Sequence, residues 1–337
     1  MALQTATSTS NSSTYPFTVR RISDVAGAEI TGIDLSEPIS RETADAIIRA
    51  MEEFHVVAFR DQNLTKDQQY DFTLNFGEIE GHVGRKADGT QYPIVHTVTN
   101  LDDKTGKPTV APHTNGNYSW HTDKSYHAVP SLLTMLHAIE IPPDGGDTLF
   151  ASMVLAYDAL SDAEKKSLEG LRCTHSWEAS RRNTGNKPAT EVQKRERPPV
   201  SHPLVRTHAS GRKSLYLGMH IDCIEGMDYD EGRALLADLL ERATAEQFVY
   251  RHQWHVGDLT LWDDSKPALY TAMNGVVDWN KGVDQMNQFT MQLKCGTNVV
   301  VAAGVAFQNC INNEATQKHW IGVDIYTYRK SVETYSK

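Results

Sequence analysis

The stretch Trp120 to Tyr126, WHTDKSY, holds a histidine and an aspartate two positions apart. On a strand, positions two apart share a face, so His121 and Asp123 would both reach one ion. With a second imidazole they would fill one face of an octahedron, a set that suits ferrous iron and leaves room for substrate and oxygen. Zinc would favour a tetrahedral set richer in sulfur or nitrogen. The triplet is short, and a surface strand carrying a His and an Asp is its plain alternative. Its neighbourhood favours the ligand reading. Trp120 can shield the ion, Asn117 lies one short turn upstream, and GGDTLF follows further on.

Such a pair needs a scaffold, and the pattern on either side is one of short strands with a few helices. FTVRRI, AEITGIDL, HVVAFRDQ, LLTMLHAI and DTLFASM are compact, turn-bounded apolar runs of strand length. SRETADAIIRAMEEFH reads as a helix. Ser40 is its N-cap, and Ala44, Ile47, Ile48, Met51 and Phe54 recur at helical spacing. TKDQQYDFTLNFG is a second helix, ending at Gly77, and SDAEKKSLEGL opens with the capping box of Ser161 and Glu164. HPLVRTH and RKSLYLG form a hairpin, and DEGRALLADLLERAT is an amphipathic helix. FVYRHQWHVGDLTLWD supplies two strands around a turn at Gly257 and Asp258, with His252 and His255 as exposed strand and turn residues. Two polar excursions, residues 79–118 and 178–201, read as a binding loop and a mobile loop. The sum is a mainly β fold with added helices, a sandwich or jelly roll.

The 337 residues suffice for a substantial core, and 39% apolar with 23% charged residues is ordinary for a globular chain. A formal net charge of -10 argues against a nucleic-acid binder but leaves room for a small anion in a local basic pocket. Cys173, Cys223, Cys295 and Cys310 lie far apart, which reads as reduced thiols in a cytoplasmic protein. No stretch approaches the roughly 18 apolar residues of a membrane span. Residues 1–15 are polar and read as a disordered tail, with residues 16–337 as one domain.

Seven stretches in order resemble the TauD/TfdA family of iron(II)- and 2-oxoglutarate-dependent dioxygenases. They are GAEITGIDLSEPIS, HVVAFRDQNLT, FGEIEGH, WHTDKSY, PPDGGDTLFASM, SHPLVRTHASGRKSLYLG and FVYRHQWHVGDLTLWDD. The resemblance implies a double-stranded β-helix, a cupin-like jelly roll with the metal inside one end. It implies iron, 2-oxoglutarate and O2, which together oxidise a C–H bond of a small anionic substrate and release succinate and CO2. A sulfonate or an aryloxyacetate would fit, and self-association into a homo-oligomer is compatible with it. His121 and Asp123 match the first two iron ligands. Thr148 matches a residue that binds the far carboxylate of 2-oxoglutarate, Asn117 sits near cosubstrate or substrate, and His82 faces the substrate. Each has a plainer reading, Thr148 as an ordinary strand hydroxyl and His82 and Asn117 as solvated loop residues. Arg206 reads as a link between strands rather than a substrate contact.

The resemblance stops after about residue 264. The family continues with a third ligand, a His, and then an Arg that grips 2-oxoglutarate in a bidentate fork. Here no His lies between His255 and His319, and no Arg between Arg251 and Arg329. ALYTAMN puts Tyr270, or Leu269 without an inserted residue, at the ligand position. Lys281 or Lys294 could meet the cosubstrate as a point charge, and Asp263 and Asp264 fall in the turn. Besides a working dioxygenase, two readings remain open. One is a catalytically impaired relative acting as a binding or partner subunit, and the other is an altered gene product over residues 265–337.

Overall fold

The computed structural model describes residues 15–79, 95–99, 119–141, 146–208, 210–263, 269–274 and 321–328, with backbone alone at 96–99, 269–274 and 321–328. The chain runs through β1 (Thr18–Arg21), β2 (Ala28–Thr31), α1 (Arg41–Phe54), β3 (Val56–Phe59), α2 (Lys66–Thr73), β4 (Glu78–Ile79) and β5 (His96–Thr99). Next come β6 (Leu133–Glu140), β7 (Asp147–Ser152), α3 (Met153–Asp158), α4 (Asp162–Leu168), β8 (Arg172–His175), α5 (Trp177–Asn183) and α6 (Glu191–Glu196). The rest is β9 (Val200–Pro203), β10 (Val205–Thr207), β11 (Lys213–Leu215), β12 (Ile221–Ile224), α7 (Tyr229–Ala243), β13 (Val249–His252), β14 (Leu259–Asp263), β15 (Leu269–Asn274) and β16 (Ile321–Tyr328).

An eight-stranded sheet in the order β1-β2-β3-β14-β6-β16-β4, with β5 also paired to β16, faces a three-stranded sheet, β13-β7-β15. Alternation on the large sheet separates two layers. Val57, Phe59, Met135, Leu259 and Leu261 pack with Ile47, Met51 and Phe54 of α1 and Phe72 of α2. The alternate positions, Thr134, Thr260 and Trp262, look toward the small sheet. There Trp262 meets Phe150 of β7 edge-on at 5.6 Å, and the Thr260 hydroxyl lies 3.2 Å from His252 Nε2 of β13.

The helices start where side chains can meet their unpaired N–H groups. Ser40 accepts from the Thr43 N–H, and Thr65–Gln68 and Ser161–Glu164 form reciprocal capping boxes. The hairpin is β10–β11. Four expectations are corrected. Residues 178–201 hold most of α5 and all of α6, capped by Ser176 and Thr190, rather than an open loop. β13 and β14 are not hairpin partners, since β13 pairs with β7 and β14 with β3 and β6. His252 is fully buried between Tyr250 and Thr260, whereas His255 is exposed as expected. Asp263 ends β14 and is buried, rather than lying in a turn.

The turn between the two sheets needs a glycine. Gly257 has φ +87 and donates to the Ala138 carbonyl, and a Cβ there would stand 3.1 Å from the Gln62 carbonyl oxygen. Beside it Asp258, wholly buried, accepts from the Arg60 guanidinium and from the His255 N–H, while Arg60 also holds Glu29 at 3.0 Å. This cluster ties β2, β3 and β14 together. Asp258→Ala is expected to cost about 3 kcal/mol, the scale for removing one member of a buried pair. Urea denaturation measures it, and a loss well under about 1 kcal/mol would mean that the cluster behaves as a surface pair.

Candidate active site

The H-x-D pair does not lie on a regular strand. His121 makes an isolated bridge, and a turn covers residues 123–126, with Lys124 at φ +46 in the left-handed region. His121, Thr122, Asp123, Lys124 and Ser125 are each at most 2% exposed. The expected strand face is therefore replaced by a buried turn, and the two side chains are aimed by their partners rather than by pleating.

Both candidate ligands are held in the form a metal needs. His121 Nδ1 lies 2.5 Å from the Ser119 carbonyl, which can only accept, so Nδ1 carries the proton and Nε2 carries the lone pair. The Thr134 hydroxyl of β6 donates to Asp123 Oδ2 at 2.8 Å and fixes the carboxylate from the large sheet. Such outer partners are what orient metal ligands. The donor set is thus a neutral imidazole and an oriented carboxylate, which suits Fe(II) as far as it goes. Among the described residues no group of three His, Cys, Asp or Glu side chains is arranged to hold a metal.

Histidines that carry no motif surround the turn. Ser125 Oγ lies 3.1 Å from His220 Nδ1 and 3.0 Å from His175 Nδ1. His202 Nε2 donates to the His127 carbonyl at 3.0 Å. Tyr126 meets His220 and Trp177 at steep ring angles, and Tyr216 lies against His175 and His202 with the Arg206 guanidinium 4.8 Å over its ring. Arg206 thus braces this aromatic cluster. Desolvation holds His175 and His220 well below the usual histidine range, and lowers His202, His137 and His252 as well. Sequence reasoning missed His175 and His220. They lie far from WHTDKSY in the chain, and a lone His at a strand end has no periodic signature.

Thr148 is buried on β7 and accepts from the Trp254 indole N–H at 2.9 Å, so its own proton remains to be donated. It stands opposite His252 on one side and Met273 on the other. Tyr270 stands opposite Ala151, in the other row of β7, and Leu269 opposite Ser152, in the row of Thr148. The register thus places Tyr270 and Thr148 in alternate rows of the sheet. His82, Asn117, Lys281, Lys294, Asp264 and residues 1–14 lie outside the described residues.

A jelly roll of two facing sheets with a buried H-x-D turn between them defines a class of metal-dependent oxygenase scaffolds. The model of the taurine catabolism dioxygenase TauD, TfdA family matches residues 16–265, and the chain belongs to this family. It is 43% identical over 246 residues to an alpha-ketoglutarate-dependent 2,4-dichlorophenoxyacetate dioxygenase of Cupriavidus pinatubonensis, covering 70% of this chain and 85% of that one. It is 30% identical over 255 residues to an (S)-phenoxypropionate/alpha-ketoglutarate-dioxygenase of Sphingobium herbicidovorans, covering 74% and 86%. Among solved structures it resembles AAD-2 in complex with Mn(II) and N-oxalylglycine, with a TM-score of 0.72 and 31% identity, covering 94% of this chain and 98% of that one.

The buried histidines set a pH dependence. Their native pKa values lie below the unfolded value of about 6.5, so below that pH the unfolded chain binds protons that the native chain refuses. Stability is full above the unfolded value and falls as pH drops through it, by up to about 1.4 kcal/mol per pH unit for each histidine. Urea denaturation at pH 7.5 and 5.5 should show a clear loss of stability at the lower pH. Equal stability would mean that His137, His175, His202 and His252 take up protons in the native state.

Proposed function

We propose that the chain is an iron(II)- and 2-oxoglutarate-dependent dioxygenase that hydroxylates a small anionic substrate, a sulfonate, an aryloxyacetate or a similar acid, with release of succinate and CO2. The observation that carries this reading is the state of the two candidate ligands. His121 presents its lone pair at Nε2 because Ser119 takes the Nδ1 proton, and Asp123 is turned by Thr134. The acids named for the relatives point to the same substrate class. When bound, the iron and its cosubstrate supply the oxidising chemistry that no side chain can perform.

The protein's part is positioning and exclusion of water. His121 and Asp123 would hold the metal. Thr148, whose hydroxyl proton is not committed to Trp254, would donate to the far carboxylate of 2-oxoglutarate, and Asn117 would lie beside it. His82 would face the substrate. Burial of the turn keeps bulk water from the metal side, which strengthens each of these charged contacts. Cytoplasmic residence and a homo-oligomer are part of this proposal, and Cys173 and Cys223 are free thiols. No helix among the described residues is long and apolar enough to cross a membrane.

The register of β15 favours a second reading. On that reading, with Tyr270 in the row of Ala151, the chain would bind ligands without turnover. Anaerobic Fe(II) with 2-oxoglutarate should give a weak metal-to-ligand absorption band, and oxygen should then yield succinate. A band without succinate selects the binding reading, and absence of both rejects the iron site. His121→Ala should abolish the band and weaken metal binding beyond the roughly 10–100-fold that loss of an outer partner costs. Unchanged binding would make His121 a structural residue.

A further inference from the structure

We infer that His220 is a positioning residue for the iron site, a clamp that fixes the turn between His121 and Asp123 from behind. The inference rests on the iron reading of those two residues. His220 is fully buried at the entry to β12, with its ring 6.0 Å from that of His121 and nearly perpendicular to it. It reaches the turn through Nδ1, which lies 3.1 Å from Ser125 Oγ, and through its ring, which packs on the rings of His121 and Tyr126. The main chain adds a third tie, from the Met219 N–H to the Trp120 carbonyl at 3.1 Å.

Ser125 Oγ carries one proton, so it donates to one of the two Nδ1 atoms and accepts an N–H from the other, which joins His220, Ser125 and His175 in one hydrogen-bonded series. His175 Nε2, at the far end of that series, is a buried nitrogen without a hydrogen-bond partner among the described residues.

The clamp is anchored in turn. Asn183 at the end of α5 donates from Nδ2 to the carbonyls of Met219 at 2.7 Å and Ile221 at 3.1 Å, one on each side of His220. The Ser176 N–H donates to the His220 carbonyl at 2.8 Å. The β12-β8-β9 sheet thus carries the alignment of His121 and Asp123 through the imidazoles of His220 and His175 and the main chain of Met219.

The test compares the full chain with His220→Ala, His220→Gln and Ile47→Ala. Gln keeps an amide that can meet Ser125 Oγ as the imidazole does, and Ile47 lies in the α1 core away from the turn. Mn(II) affinity is measured by electron paramagnetic resonance, well below each protein's unfolding temperature. Amide hydrogen exchange over residues 121–125 is followed in parallel. His220→Ala should weaken Mn(II) binding roughly 10–100-fold and speed exchange in the turn, His220→Gln should recover most of both, and Ile47→Ala should alter neither. Wild-type affinity and protection in His220→Ala would overturn the inference, as would an equal loss in Ile47→Ala. A wild-type chain that takes up no Mn(II) would remove the iron reading itself, and the exchange arm would still decide whether His220 holds the turn.

Discussion

Five consecutive polar residues, from His121 to Ser125, are buried in the middle of this molecule, and two of them are Asp123 and Lys124. Burying a polar group without a partner costs more than most single contacts return, and burying a charge costs more still. The surroundings answer to that constraint. Ser119 and Thr134 meet the two candidate ligands, and His220 and His175 meet Ser125. Neutral histidines suit this work because they give and take one proton each without adding charge to the interior. Lys124 adds backbone strain, since a branched-free but bulky residue rarely holds a positive φ away from a functional turn.

Two layers cooperate to hold the turn, and they come from different parts of the chain. Thr134 belongs to the large sheet, whose other face is sealed by α1 and α2. His175 and His220 belong to the three-stranded sheet that α5 and α7 flank. A hydrogen bond between the Thr260 hydroxyl and His252 and the ring contact between Trp262 and Phe150 keep the facing sheets in place. The site is therefore a junction, and its geometry depends on packing well outside the family motif.

Much of this was legible in the sequence. The Ser161–Glu164 capping box, the helical spacing of α1 and α7 and the β10–β11 hairpin have local signatures, and the structure carries each. What could not be read is non-local. Nothing in FVYRHQWHVGDLTLWD says that its two strands join different sheets, so His252 read as exposed when it is buried. Residues 178–201 are polar in composition, yet their caps and the anchoring bonds of Asn183 make them helical and structural. The positions of His175 and His220 depend on pairings that only the fold supplies. The departure after residue 264 was visible as missing His and Arg, and the register of β15 gives it a physical form in the row occupied by Tyr270.

The place of β16 has a consequence for how the molecule is made. β6, which carries Thr134, ends at Glu140, but among the described residues its second edge is covered by β16, beginning at Ile321. At about 5–20 residues per second, on the order of ten seconds or more separates the emergence of these two strands from the ribosome. During that interval an eight-residue, largely apolar edge stands open to pairing with any other extended chain, the situation in which nascent proteins aggregate or recruit chaperones. The long sequence separation of the two strands therefore delays the last pairing of β6, and couples the arrival of β16 to the alignment of Asp123.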